Sequence, residues 1–416
     1  MPDLRSPRVG TVLRLDARRT AIVLAVPALA CLGIAAAWRG LIPGVASWES
    51  SVAAIAASVR LVGPVAATLA CWAALRAHRL DYLRTLSARS PVTGPLLDLL
   101  LLCGVALLAY VIVALVIIGD TLLQPAAPGF HPLGLPAGAA ALAACVVTGY
   151  VAGRLAPRPL TAAVVAAMTT SWSVLRPAGS SWLSLLPPAA YGPIGLNGGL
   201  RPGLAADQLV WALALGTAIV AGYMWRLSRH RMLLVPLALG LALTTVATVR
   251  LHGYGGSAVT ATPPTAPVCR TWPLTVCVHP ALAPGLPSLE AVATPLATRL
   301  TGTPGGFRTL RQLPGAGPAH IKAGVAWVHL TDLGPGYERR VAHELVAGLH
   351  TAPCDSAYAA LVDAWLLGEP AGGPADPVVQ RRFAGWTDQR RRTWLRTHYP
   401  TYRACALSPA DFPRGT

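Results

Sequence analysis

Leu96-Leu-Asp-Leu-Leu-Leu-Leu-Cys-Gly-Val-Ala-Leu-Leu-Ala-Tyr-Val-Ile-Val-Ala-Leu-Val-Ile-Ile118 carries a single charge, Asp98, near its start. It has no polar face, so it is not the one-sided helix of an aqueous domain. About 17–25 apolar residues suffice to cross a hydrocarbon core as a helix, in which every backbone group pairs internally. Working outward, two comparable stretches precede it, Thr20–Trp38 and Val52–Leu75. Four follow, at Ala137–Leu155, Leu160–Leu175, Asp207–Trp225 and Met232–Leu251. Only Ala156–Pro159 separates the fourth from the fifth, so these two form a tight antiparallel pair; the fifth is short. The basic start Arg14–Arg19 loosely fits a secretory signal, but six further spans make an uncleaved first helix the more economical reading.

The composition agrees. The 416 residues carry a formal charge of +17, yet only 12% are charged and 54% are hydrophobic. Mean hydropathy is +0.52 and the isoelectric point near 10.4. A soluble domain usually carries about a quarter charged residues, and a nucleic-acid binder spends its basic residues on one surface. Here Lys322 is the single lysine. Arginine in place of lysine, with heavy Ala, Gly and Pro usage, points to a GC-rich bacterial genome.

Arginine also orients the chain. With a cytoplasmic start, inner segments hold 14 arginines, and the outer loops hold three, Arg39, Arg176 and Arg201. That bias is a positive-inside signal. Seven crossings then put everything after Leu251 outside the cell membrane. The expected organisation is a cytoplasmic segment 1–19, a transmembrane domain 20–251, a Gly/Pro/Thr-rich linker 252–268 and an extracytoplasmic domain 269–416. The fold class is a polytopic α-helical membrane protein with a small α/β or α+β domain appended.

The tail alternates candidate strands and helices. The strands are Leu274–His279, Phe307–Leu313 and Val325–Leu330. The helices are Leu286–Leu300, Tyr337–His350, Ala357–Leu367 and Pro377–Tyr399. Cys31, Cys71, Cys103 and Cys145 fall in spans, as small apolar fillers. Cys269, Cys277, Cys354 and Cys405 fall in the tail, where an oxidising compartment suggests two disulfides. Three connectivities exist. The short Arg270–Val276 loop favours Cys269–Cys277, leaving Cys354–Cys405; four free thiols is the alternative.

Inside the spans, Arg60 is a charge that either snorkels or pairs within the bundle; Asp120 is its expected partner. Ser180–Gly203, with Trp182, Pro187, Pro188 and Tyr191, reads as a loop with an aromatic anchor or as a re-entrant element. Arg381, Arg382, Arg390, Arg391, Arg392 and Arg396, interleaved with Phe383, Trp386 and Trp394, read as a solvated basic face or as a surface for anionic headgroups.

Ala342-His343-Glu344-Leu345-Val346-Ala347 contains the first half of a zinc-peptidase His-Glu-x-x-His motif, with Ala347 at the second His. His350 lies roughly two turns on. Asp363-Ala-Trp-Leu-Leu-Gly-Glu369 is similar to the third-ligand segment of aminopeptidase-like gluzincins, but the ligand position falls at Gly368, with Glu369 one place off. The resemblance implies a decayed peptidase-like domain, and no metal or catalytic residue is assigned.

Leu75-Arg-Ala-His-Arg-Leu-Asp-Tyr-Leu-Arg-Thr-Leu-Ser-Ala-Arg-Ser-Pro91 is a short basic segment followed at once by a long apolar helix. It resembles the second cytoplasmic segment of type-two ABC exporter permeases, which docks on a separate ATPase subunit. The likeness in layout covers residues 1–230. It implies coupling contacts from Arg76, Arg79, Asp81, Tyr82 and Arg84. It also implies two permease copies, or one with a partner permease, in a lipid bilayer. The seventh span and exported tail depart from the family. No G-x-x-x-x-G-K-[ST] loop is present, so ATP hydrolysis would fall to that other subunit. A membrane-anchored surface binding or sensing protein is the competing expectation.

Overall fold

The computed structural model describes residues 22–45, 47–79, 92–124, 133–192, 194–261, 265–315, 317–370 and 375–413. The chain divides into a helical unit (up to 41, 46–194 and 198–262) and a mixed unit (42–45, 195–197 and 263 onward).

In the helical unit, described helices lie at all seven apolar stretches: α1 (Ile22–Trp38), α2 (Trp48–Arg79), α3 (Thr93–Leu123), α4 (Gly134–Leu155), α5 (Pro159–Val174), α6 (Leu204–Ser228) and α7 (Leu234–Gly253). Five of the seven sites are long and apolar enough to cross a membrane; those of α1 and α5 are shorter. At 1.5 Å per residue, the 16 residues of α5 reach about 24 Å, short of a roughly 30 Å hydrocarbon core. So the structure establishes five spanning-length helices, not seven. Pro159 starts α5 at its first turn, where a missing N–H costs nothing.

Apolar faces turn outward as well as inward. α7 exposes Val235, Leu239, Val246 and Val249, a surface suited to lipid and unsuited to water. The interior is built from Ile55, Val59, Ile117, Leu142 and Tyr150. The closest seam joins α2 and α4. A Cβ on Gly149 would lie 2.0 Å from the Ala67 carbonyl oxygen, and one on Gly153 would lie 2.6 Å from that of Cys71. Two small residues four apart let the backbones meet.

The expected linker 252–268 is partly built into the helical unit. α7 continues to Gly253. A strand β2 (Val259–Ala261) then pairs antiparallel with β1 (Gly198–Leu200). Gly/Thr-rich composition hid a strand of only three residues.

The mixed unit holds a five-stranded sheet in the order β3-β4-β5-β7-β6. The strands are β3 (Val268–Arg270), β4 (Thr275–Val278), β5 (Thr309–Gln312), β6 (His320–Lys322) and β7 (Val325–Val328). β4–β5 and β5–β7 are parallel, and both edge pairs are antiparallel. α8 (Leu286–Arg299) makes the crossover from β4 to β5. α9 (Tyr337–Ala347) and α10 (Ala357–Leu367) follow. The expected single helix Pro377–Tyr399 is two, α11 (Pro377–Ala384) and α12 (Asp388–Arg403). Thr387 breaks it by accepting a bond from the Arg390 N–H, an N-cap. The bend gathers Phe383, Trp386, Trp394 and Phe412 into one cluster with centroid spacings of 4.8–6.4 Å.

Cys269 pairs with Cys277 across β3–β4, and Cys354 with Cys405 at the end of α12. This is the connectivity favoured by the short first loop.

Candidate functional site

The helical unit is polar where α2, α4 and α6 begin and α3, α5 and α7 end. A helix leaves its last carbonyls without intrahelical partners. α5 leaves them early, because Pro177 disfavours helical geometry at Arg176. Its last turn lies level with Arg60, 12 positions into α2, so about 18 Å from that helix's start. Two arginines complete the termination. Arg60 Nη2 donates to the carbonyls of Ser173 and, at 3.0 Å, Arg176. Arg176, 6% exposed, donates through Nε to the Trp172 carbonyl at 2.6 Å and stacks over the Trp172 ring at 4.0 Å.

The same Arg176 organises the segment that follows. Its Nη1 reaches the carbonyls of Leu183 (2.7 Å) and Leu186 (2.9 Å), and its Nη2 that of Pro188 (3.2 Å). These bonds hold a 3-10 turn at Trp182–Leu185. Ser184, fully buried, donates to the Ser181 carbonyl at 2.7 Å. From α6, Gln208 donates to the Leu185 carbonyl at 2.9 Å and accepts the Tyr191 hydroxyl. Asp207 takes Arg250 Nε at 3.2 Å and the Tyr254 hydroxyl at 2.9 Å. Glu49 accepts the Leu200 N–H at 2.9 Å. Residues 180–192 are therefore a built element packed into the helical unit, with Leu185 and Leu186 in its core. The sequence signal was present in Trp172…Leu175-Arg-Pro177, where an arginine and a proline end an apolar run. Counting Arg176 only as loop charge missed it.

Arg60 does not meet its expected partner. Among the described residues no ion pair joins it to Asp120, which instead accepts from Gln124 Nε2 at 3.4 Å. The guanidinium reached helix-end carbonyls on α5, a partner that no spacing rule within α3 could reveal.

At the opposite end of this unit, Tyr150 donates to Asp98 at 3.0 Å and Arg154 to the Tyr223 hydroxyl at 3.2 Å. Arg76 sits over the Trp72 ring at 4.8 Å in the last turns of α2, and Arg79 ends that helix. Asp81, Tyr82 and Arg84 lie outside the described residues, as does segment 1–19. An apolar cleft of about 500 Å³ opens between α3, α4, α6 and α7, lined by Leu96, Ala144, Val147, Leu213 and Met224.

In the mixed unit, His343 Nε2 lies 3.1 Å from Glu369 Oε1, and Arg339 Nε lies 3.9 Å from the same oxygen. Gly368 closes α10 in the left-handed conformation, φ +73°, which suits glycine and not a glutamate ligand. Among the described residues no three His, Cys, Asp or Glu side chains gather as a metal set. His350 faces elsewhere. Its Nε2 lies 3.2 Å from the Asp363 carboxylate and its Nδ1 3.2 Å from the Tyr402 carbonyl. The Tyr402 hydroxyl donates to the same carboxylate at 2.5 Å. Burial alone would lower the His350 pKa, but Asp363 and the Tyr402 carbonyl raise it above its ordinary value.

The architecture is that of a multi-pass helical membrane protein with a disulfide-bonded mixed α/β unit. No protein-family model, curated protein or solved structure matches the chain.

Proposed function

We propose that the chain is the membrane subunit of an ABC-type exporter, driven by a separate ATP-hydrolysing subunit that docks near Arg76–Arg89. The observation that carries this is the short fifth helix and the non-helical segment packed after it. An anchor needs only continuous spans. Non-helical backbone at membrane depth is tolerated where protein buries it or where it lines a path, and transporters place their sites at such breaks. Residues 176–192 are, in this reading, such an element, tied by hydrogen bonds to α2, α5 and α6. In this reading α1 and the α5 break complete seven crossings, the 14-to-3 arginine bias faces the cytoplasm, and the disulfide-bonded unit lies outside. The apolar cleft suits a hydrophobic or lipid-like cargo.

The test is purification with natural partners from a native membrane. An ATP-hydrolysing protein should co-purify, and the double charge reversal Arg79→Glu/Arg84→Glu should uncouple it. If no such protein associates and the double variant behaves as wild type, the exporter assignment fails. The mixed unit supports a second reading, a membrane-anchored surface sensor, because it has its own core and both disulfides. Loss of that unit with retained ATPase coupling would separate the two.

A further inference from the structure

The apolar cleft between α3, α4, α6 and α7 is a space that the helical unit's own side chains do not fill. Small residues line it, Ala140, Ala143 and Ala144 from α4 and Ala212 and Gly216 from α6. A Cβ on Gly216 would meet nothing within 4 Å. The lining carries no charge, and its one hydroxyl, on Thr217, donates to the Leu213 carbonyl of its own helix at 2.8 Å. No side chain is left there to hold a polar group, so water finds too few partners.

The shape selects among apolar occupants. Along α6 the lining runs from Ala212 to Met224, which is about 18 Å. Chains in one leaflet of a bilayer reach about 15 Å, half of a roughly 30 Å core. A helix of the cleft's length, about 10 Å across, would need roughly 1,400 Å³, well beyond the cleft's volume of about 500 Å³. The mouth is basic. The cleft ends at Val92, Met224 and Leu233, where α6 finishes and α7 begins. Leu233 closes the 3-10 turn that Arg231 opens. Ser228-Arg229-His230-Arg231 is exposed throughout, and no Asp or Glu occurs in the chain between Asp207 and Glu290. On α4, Arg154 continues the face of Ala140, Ala144 and Val147 toward this end. It donates to Tyr223, the neighbour of Met224, at 3.2 Å.

We propose that the cleft binds one acyl chain of an anionic phospholipid, with the headgroup phosphate at Arg231. A guanidinium pairs with phosphate oxygens, and burial of the chain supplies the rest. The site goes beyond the exporter reading and does not need transport. That reading fails when no ATP-hydrolysing partner co-purifies, this one when no lipid is retained.

The full chain is reconstituted in nanodiscs of equal phosphatidylcholine and phosphatidylglycerol, released into detergent, and its retained lipid identified by native mass spectrometry. Retained phosphatidylglycerol should exceed phosphatidylcholine about fivefold, the effect of one arginine at the surface. Gly216→Phe fills the cleft and should abolish retention. Gly104→Phe, at a position of α3 where an added Cβ also meets nothing, should retain lipid as wild type does. Arg231→Gln should keep the lipid and lose the preference. Phosphatidylglycerol with a diazirine near its chain end tests the wild type directly, and decides if Gly216→Phe fails to fold. Cross-links should fall in 140–147 and 212–224 rather than on the outward Val235, Leu239 and Val246 of α7. Evenly spread cross-links, no lipid on wild type, or equal retention by Gly216→Phe overturns the site and leaves ordinary boundary lipid. A dimer that carries no lipid puts a second copy in the cleft and overturns it as well. A preference that survives Arg231→Gln overturns the headgroup assignment.

Discussion

The α2–α4 seam makes the sharpest demand on a single atom. Gly149→Ala places a methyl 2.0 Å from the Ala67 oxygen, 2.7 Å from its carbonyl carbon and 2.8 Å from its Cα. All three obstacles are backbone, so no rotamer change relieves the clash. Reaching ordinary contact near 3.5 Å requires the helices to part by about 1.5 Å. Ala67 and Cys71, each fully buried along this seam, would lose packing together. Overpacking costs about 1–3 kcal/mol, and the rigid obstacle puts this site at the upper end, roughly a hundredfold in the folding equilibrium. Gly104 on α3 is the control: an added Cβ there meets nothing within 4 Å, so Ala should be neutral or stabilising by under about 1 kcal/mol. Reversible unfolding in mixed micelles, followed by far-UV circular dichroism, measures both. If the two variants agree within about 0.5 kcal/mol, the helices do not touch where the geometry places them.

Arg176→Gln should free the carbonyls of Leu183, Leu186 and Pro188 and expose the 180–190 segment to proteolysis, while Arg39→Gln leaves the cleavage pattern unchanged. Replacing Cys354 and Cys405 by Ser opens a loop of separation 51, against 8 for Cys269 and Cys277. Loop-closure entropy then predicts losses of about 4 and about 2.6 kcal/mol, measured as paired Tm shifts. His350 has a raised folded pKa, so its stabilisation is complete below the unfolded value near about 6.5 and fades as pH rises through the folded value. Stability of the mixed unit should fall as pH rises above about 6.5, and His350→Gln should flatten that slope in a denaturant titration.

The positions of the helices were legible because lipid imposes a simple demand: a long run without charges. Ala357–Leu367 was read to the residue, since Ser356 caps its start and Gly368 its end. Strands β3 and β6 were not legible, as three residues carry no alternation to detect. The turn at Thr387-Asp388 was written in the sequence as an N-cap pair but was outweighed by the long basic-aromatic pattern on both sides. The candidate site was legible only in part. Arg60 stood out because a charge in an apolar run is rare, whereas its partners are backbone atoms 113 and 116 positions away. Backbone carbonyls look alike in every residue, so no sequence pattern announces them.

α2 has the proportions of a lever. Its 32 residues form one rod about 48 Å long, gripped at Arg60 by the end of α5 and leading at its far end into the basic segment. The distance between Arg60 and Arg79 is about 28 Å. Tilting the rod about Arg60 by five degrees displaces its Arg79 end by roughly 2.5 Å. A push at the basic tip is therefore delivered to the carbonyls of Ser173 and Arg176 without passing through any other helix.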